Sequence, residues 1–168
     1  MEQDLKPLIV KAKKWGAMDA RMMDTSSVIF DSRAFLKCRF GCRRWGKYWT
    51  CPPNMELSFE TFKEAFDRYQ TAMIIQAPEQ KKSQEITLRV EKEAMVSHNC
   101  IFAFGMAVCV WCETCAWPDP CRYPDLARPS MDAFGIDIGK TVEHIGFKVE
   151  FDKNGVLIPA WYSMVLLD

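Results

Sequence analysis

The stretch Thr71-Ala72-Met73-Ile74-Ile75-Gln76 is a short, mostly apolar run that is closed by Pro78. A run of this length suits a strand better than a helix, and proline ends it because it has no backbone N–H to donate. We therefore predict a buried strand here, as part of a sheet.

Helical periodicity is found on both sides of this strand. The aromatic residues of 59–69 recur at helical spacing after Ser58, which is the expected N-cap. Apolar residues stand four apart in 83–98, and they recur at helical spacing between the lysines of 3–14. We predict a helix over each of these three ranges.

Shorter patterns predict further elements. Residues 27–30 indicate a short strand, and 34–36 indicate a second one. Ser130 is the expected cap of a helix that covers roughly 131–144.

The C-terminal residues are typical of a hairpin. Apolar and charged residues alternate from 147 to 151, and Asn154-Gly155 is a turn signal. We expect 156–167 to form the return strand, with Pro159 placing part of it at an edge.

Composition indicates one ordered domain. The chain has 168 residues, of which 49% are hydrophobic and 26% are charged, and no repeat or linker interrupts it. We expect a single α+β domain over 1–168, with a mixed sheet, covering helices and two Cys-rich cluster-binding loops, the first over 37–54 and the second over 100–129.

Charge and hydropathy point to the cytoplasm. Twenty-two basic residues balance twenty-two acidic ones, which gives no general attraction to nucleic acid or an anionic membrane. No apolar run approaches the ~18 residues of a membrane span. Charged residues interrupt 1–14, so no signal peptide is expected there.

Eight cysteines are the unusual feature of the composition. Cytosolic thiols stay reduced, and a chain of this size builds a core without disulfides. Metal binding is therefore the first interpretation of these cysteines.

The second cysteine group carries the sharper signal. Cys109, Cys112 and Cys115 form a C-x2-C-x2-C run, and Cys121 follows after five more residues. Such a run is typical of iron–sulfur ligation in ferredoxin-type sites, whereas zinc sites prefer two separated pairs. The spacing favours an iron–sulfur cluster over zinc.

The first cysteine group has the spacing Cys38-x3-Cys42-x8-Cys51. Three thiolates hold a [4Fe–4S] cluster if a fourth ligand comes from elsewhere or if one iron stays open. The alternative is three buried structural cysteines. Cys100 either completes this set or is a buried thiol at a helix end, and we favour the buried thiol.

A basic segment surrounds the first group. Residues 32–54 contain six basic side chains and no acidic one, and Trp45, Tyr48 and Trp49 are interleaved with these charges. Arg39, Arg43 and Arg44 are candidates to contact a partner or an anion, and the alternative is a solvated basic loop. The aromatic residues suit either single-stranded nucleic acid or the shielding of a cluster, and the cysteines favour shielding.

These motifs, taken together, carry a family resemblance. In order they are Cys38-Arg39-Phe40-Gly41-Cys42, Thr50-Cys51-Pro52-Pro53, Cys109-Val110-Trp111-Cys112-Glu113-Thr114-Cys115, Pro120-Cys121-Arg122-Tyr123-Pro124 and Arg128-Pro129-Ser130-Met131-Asp132-Ala133-Phe134-Gly135-Ile136-Asp137. The series resembles the family called domain of unknown function 2284, a family of predicted metal-binding proteins.

The resemblance implies metal or iron–sulfur binding in an anaerobic cytoplasm, and it names no reaction. It implies two ligand sets, which are Cys38, Cys42 and Cys51 in the first and Cys109, Cys112, Cys115 and Cys121 in the second. Cys100 matches no cysteine of the pattern. Arg128 and Asp137 match it, and they either pair near the second cluster or fix the loop onto the sheet, which we favour.

We therefore expect an iron–sulfur protein with one or two [4Fe–4S] clusters that passes electrons to or from a partner enzyme. One alternative is an enzyme that uses an open iron at the first set. The other is a zinc-stabilised binding module.

Overall fold

The predicted strand at 71–76 is present and organises a four-stranded sheet. The structure, a computed structural model, describes residues 4–153, 157–158 and 161–168. The strands of the sheet, in spatial order, are β1 (Asp19–Asp24), β2 (Thr71–Ala77), β6 (Trp161–Leu167) and β3 (Phe104–Met106).

The α+β class is confirmed, but the sheet is antiparallel rather than mixed. Each neighbouring pair in it is antiparallel. The reason is the position of β6, which lies between β2 and β3. β2 and β3 run in the same direction and would form a parallel pair if they were neighbours. Because β6 separates them, no parallel pair forms in this sheet.

Helices cover the sheet. In the described part of the chain they are α1 (Lys6–Lys14), α2 (Arg33–Gly41), α3 (Phe59–Phe66), α4 (Gln80–Ser97) and α5 (Ile138–His144). No helix in this part is long and apolar enough to cross a membrane.

β2 is buried on both faces, which explains its continuous apolar run. Met73 and Ile75 pack into a core with α1 and α4, whereas Ile74 packs into a core with Phe62 and Phe66 of α3. Because side chains alternate along a strand, one strand supplies both cores.

Two predicted strands are wrong. Residues 34–36 lie inside α2. Residues 27–30 begin in a 3₁₀ turn, Thr25–Ser27, and their last residue, Phe30, forms an isolated bridge to Ile136. A three-residue apolar run cannot distinguish a helix from a strand. β1, which the prediction missed, is an edge strand with Asp at both ends, so it lacks a strand-like apolar pattern.

Helix positions agree better than helix ends. Ser58 caps α3 through a 3.1 Å bond from the backbone N–H of Thr61, as predicted. The predicted helix 131–144 is broken by Gly135, whose φ of +76° ends a 3₁₀ turn, Met131–Phe134. Asp137, rather than Ser130, caps the α-helix that follows.

The predicted C-terminal hairpin is present in part. β4 (Glu150–Phe151) pairs with β5 (Leu157–Ile158) in a separate two-stranded sheet. The predicted turn at 154–155 and Pro159 lie outside the described residues.

A buried ion pair fastens the second Cys-rich loop to the fold. The guanidinium of Arg128 donates to both carboxylate oxygens of Glu91, from Nε at 2.8 Å and from Nη2 at 2.5 Å. The backbone N–H of Gly105 in β3 donates to the same carboxylate at 2.7 Å. Arg128 therefore fixes the loop onto α4 and the sheet. The alternative, a pair between Arg128 and Asp137, is wrong, since Arg128 pairs with Glu91 and Asp137 caps α5.

Replacing this arginine (Arg128→Met) is expected to lower the free energy of unfolding by about 3–5 kcal/mol, because it leaves a buried carboxylate without its cation. Chemical denaturation measures the effect. The matched control is Arg33→Met, which breaks an ion pair whose arginine side chain is 74% exposed. That control should leave stability almost unchanged because solvent screens an exposed ion pair, and equal losses in the two variants would contradict the prediction.

Candidate metal centre

The first three cysteines converge on one cavity of about 250 Å³. Cys38 lies on α2 and Cys42 is its C-terminal cap, so the four-residue spacing places them on the same side of the helix. The chain then turns at Gly46, whose φ of +67° requires a residue without a side chain, and returns to Cys51. The turn is closed by a 3.0 Å bond from the backbone N–H of Gly46 to the Pro52 carbonyl.

The thiols of this cavity influence one another. Burial raises the pKa of Cys38 to about 12, and the nearby Asp132 carboxylate and Cys42 add to the shift. Burial also raises the pKa of Cys51 to about 12, and Cys42 again adds to the shift, while Arg44 opposes it. Each thiolate that forms makes ionisation of its neighbour less favourable. A bound metal cation would offset this repulsion and stabilise the thiols as thiolates.

Asp132 completes the wall of the first cavity. Its carboxylate Oδ2 lies 3.8 Å from the Sγ of Cys38, and its backbone carbonyl lies 3.9 Å from the same sulfur. The sequence prediction quoted the Arg128–Asp137 segment for its resemblance but assigned no role to Asp132. The signal available in the sequence was its acidic side chain within a motif segment that carries the family resemblance.

The four cysteines of the second group line a neighbouring, much narrower cavity of about 20 Å³. They come from one surface loop, and the first loop contributes Trp49 and Thr50 to the same walls. Thr50 and Cys109 line both cavities, so the two thiol sets are adjoining. The lining cysteines of the second cavity are Cys109, Cys112, Cys115 and Cys121.

Direct contacts join the two Cys-rich loops. Arg44 donates from Nη1 to the Cys109 carbonyl at 2.6 Å. The indole N–H of Trp49 donates to the Asp119 carbonyl at 2.8 Å, and its ring meets that of Trp117 edge to face at 4.5 Å. The sequence predicted two loops, and the structure joins them into one unit.

The three arginines that were predicted to contact a partner or anion have different environments. Arg44 makes the contact between the loops and stacks on the Tyr48 ring at 4.6 Å. Arg39 stacks over Phe40 at 5.4 Å. Arg39 and Arg43 are exposed, so these two present charge to solvent.

N–H groups point at two of the cysteine sulfurs. The backbone N–H of Arg44 lies 3.5 Å from the Sγ of Cys42, and the side-chain amide of Gln84 lies 3.7 Å from the Sγ of Cys109. Such donors stabilise thiolates that bind a metal or cluster. Gln84 escaped the sequence prediction because a glutamine inside an amphipathic helix has no distinguishing pattern.

Gln84 also holds the start of the second loop. Its side chain is fully buried. Its carbonyl accepts the backbone N–H of Val110 at 2.8 Å, and its amide donates to the Leu126 carbonyl at 3.1 Å. One side chain on α4 therefore fixes two points of the loop and contacts a cysteine sulfur.

Cys100 lies elsewhere. It is fully buried in the core that α1 and α4 form with the sheet, and it lines neither cavity. Its sulfur contacts the backbone carbonyl of His98 at 3.7 Å.

Within residues 4–153, 157–158 and 161–168, no three His, Cys, Asp or Glu side chains are grouped so as to hold a metal ion. The ligands of a cluster, by contrast, bind different iron atoms at separate corners, so their sulfurs are spread around a larger volume. The donors that line the first cavity fit such a group, since they are four thiols and a carboxylate, namely Cys38, Cys42, Cys51, the shared Cys109 and Asp132.

Residues 21–167 match the family described as "Predicted metal-binding protein (DUF2284)", and the chain belongs to this family. No curated protein and no solved structure matches the chain. The family description supports metal binding and leaves the identity of the metal open.

Replacing the buried glutamine (Gln84→Met) is expected to lower the free energy of unfolding by about 2–4 kcal/mol, because a backbone N–H and a carbonyl lose their buried partners. Thermal or chemical denaturation of the metal-free protein measures this. The matched control, Gln80→Met, changes the same residue type one helical turn earlier at a partly exposed position. It should shift stability by no more than about 0.5 kcal/mol, and a similarly small shift for Gln84→Met would disprove the role assigned to Gln84.

Proposed function

We propose that the protein is an iron–sulfur protein that binds a [4Fe–4S] cluster at each of its two thiol sets and passes electrons to or from a partner enzyme. The observation that carries this proposal is the convergence of seven cysteines on two adjoining cavities that share Thr50 and Cys109. Clusters of this type exchange single electrons at potentials set by hydrogen bonds to sulfur, net charge and solvent exposure.

The ligand chemistry supports iron–sulfur clusters. The second set has the C-x2-C-x2-C run typical of ferredoxin-type sites, with Cys121 as the local fourth thiol. Cys38, Cys42 and Cys51 supply three ligands to the first set. The N–H groups directed at Cys42 and Cys109 would stabilise the anionic clusters and raise their reduction potentials.

The surroundings of the first set suit a redox partner. Cys42 is exposed, and Arg39 and Arg43 are exposed beside it. Phe40, on the same segment, is 80% exposed, which is unusual for a phenylalanine. Positive charge around the exposed Phe40 ring favours an acidic partner protein. The compartment that we propose is a reducing, anaerobic cytoplasm.

A second candidate is an enzyme that uses an open iron at the first set. The first cavity is broad, and Asp132 also lines a larger cavity of about 550 Å³ whose other charged side chains are three cations and two carboxylates, Arg33, Lys37, Lys140, Asp31 and Asp137. Arg33 and Lys140 form ion pairs with these carboxylates, so a small anion at the wall of the first cavity would depend on Lys37. This candidate makes the first set a binding centre while the second set supplies electrons.

The proposal predicts about eight irons and eight sulfides per chain, with broad absorption near 400 nm, in protein purified without oxygen. Because Cys42 and Cys112 belong to different sets, Cys42→Ser and Cys112→Ser should each lower the iron by about half. The matched control is Cys100→Ala, which removes a cysteine that lines neither cavity and should keep the full iron content.

Each other outcome has a definite meaning. Colourless protein with one or two zinc ions would replace the proposal with a zinc-stabilised binding module. Full iron in Cys112→Ser would overturn the second site, and full iron in Cys42→Ser would overturn the first. A loss of half the iron in Cys100→Ala would show that Cys100 is a ligand.

A further inference from the structure

We infer that Asp132 is the fourth protein ligand of the cluster at the Cys38, Cys42 and Cys51 set. This inference rests on the proposed function, since it needs a cluster at that site. It assigns a carboxylate to the ligand position for which the cysteine pattern supplies no thiol.

Asp132 is held in place by buried neighbours. It lies in the 3₁₀ turn Met131–Phe134, where the other three side chains are 1–3% exposed. The Phe134 ring stacks on Phe62 of α3 at a centroid distance of 3.7 Å. The backbone carbonyl of Asp132 accepts the N–H of Gly135 at 3.1 Å, which closes the turn. A carboxylate on such a turn is positioned before any ligand arrives.

The carboxylate is directed at the thiols. It lies 3.8 Å from the Sγ of Cys38 and shares the cavity wall with Cys42 and Cys51. Carboxylates bind iron, and replacement of one cluster thiolate by another donor is chemically established for iron–sulfur centres. The donor set is therefore three thiolates and one carboxylate.

Cys109 is the competing fourth ligand because it also lines the first cavity. Its sulfur, however, accepts the Gln84 amide at 3.7 Å and belongs to the run that lines the second cavity. Asp132, by contrast, does not line the second cavity. The geometry therefore favours Asp132 at the first site and leaves Cys109 to the second.

Ligation by a carboxylate has a chemical consequence. Thiolate is the softer ligand and suits cluster iron better, so the iron bound to Asp132 is the one that exchanges most readily. Asp132 also lines the 550 Å³ cavity with Lys37 and Lys140. The exchangeable iron would thus face a cavity that also contains Asp31 and Asp137, whose carboxylates pair with Lys140.

The test oxidises the intact protein, carrying both clusters, with ferricyanide under nitrogen. Each ferricyanide takes one electron, and a cluster that gives up its most weakly held iron releases it as Fe²⁺ and becomes [3Fe–4S]. Released iron and the electron paramagnetic resonance signal of the three-iron cluster are followed over time. The proteins compared are the wild type, Asp132→Asn, Asp132→Cys and the control Asp119→Asn.

We expect Asp132→Asn to release about one iron per chain roughly tenfold faster than the wild type, because the amide is a poor ligand. Asp132→Cys should release it more slowly than the wild type, because the site becomes all-thiolate. Asp119→Asn should match the wild type, since Asp119 meets the first loop through its backbone carbonyl.

Equal release rates in the wild type, Asp132→Asn and Asp132→Cys would overturn the inference. An unchanged release rate in Asp132→Asn alone would overturn it as well. If Asp132→Asn does not fold, the rates of iron release in Asp132→Cys and the wild type are compared. Slower release in Asp132→Cys supports the inference, and equal release overturns it. Failure of the proposed function is seen separately, as full iron content in Cys42→Ser.

Discussion

A row of buried polar side chains on one face of α4 determines where the cysteines lie. Gln84, Thr87 and Glu91 stand three and four residues apart, so they project from the same side of the helix. Each costs free energy to bury unless it is hydrogen-bonded. Within the described residues, every buried side-chain nitrogen and oxygen has a partner. For Gln84 and Glu91, those partners include the second Cys-rich loop and Arg128.

The first cavity depends on the second loop in turn. Arg44 and Trp49 of the first loop donate to backbone carbonyls of the second. The order of support runs from α4 to the second loop, then to the first loop, and finally to the cavity that Cys38 and Asp132 line. Because the two loops contact each other, a metal or cluster bound at one thiol set would also restrain the loop that carries the other set.

The sequence predicted the parts of the fold that have strong periodicity. The strand at 71–76, the helix that Ser58 caps and the long helix containing Ile86 and Val90 are all present. β1 was missed because an edge strand needs few apolar residues, and the run at 34–36 is too short to distinguish two structures. The boundary at Gly135 depends on a left-handed backbone conformation that a periodic pattern does not display.

The cysteine spacing predicted the two sets, but it could not show that they adjoin. That neighbourhood arises from contacts between residues 65 or more positions apart, such as Arg44 with Cys109. Gln84 and Asp132 were missed for the same reason, since each gains its role from a distant sulfur or backbone group. Local spacing identifies the ligands of one loop, whereas the tertiary structure decides what surrounds them.

The local distribution of charge around the first site would suit the proposed anionic cluster, although the chain has a net charge of zero. Six basic residues lie between positions 32 and 54, around Cys38, Cys42 and Cys51. Arg44 already opposes the upward shift in the pKa of Cys51, so positive charge acts directly on this thiol. Adding Asp132 as a ligand makes the first cluster more anionic than three thiolates with an open iron. The basic residues would therefore matter most at the site where the carboxylate lies, and the exposed Arg39 and Arg43 would be available to the proposed acidic partner.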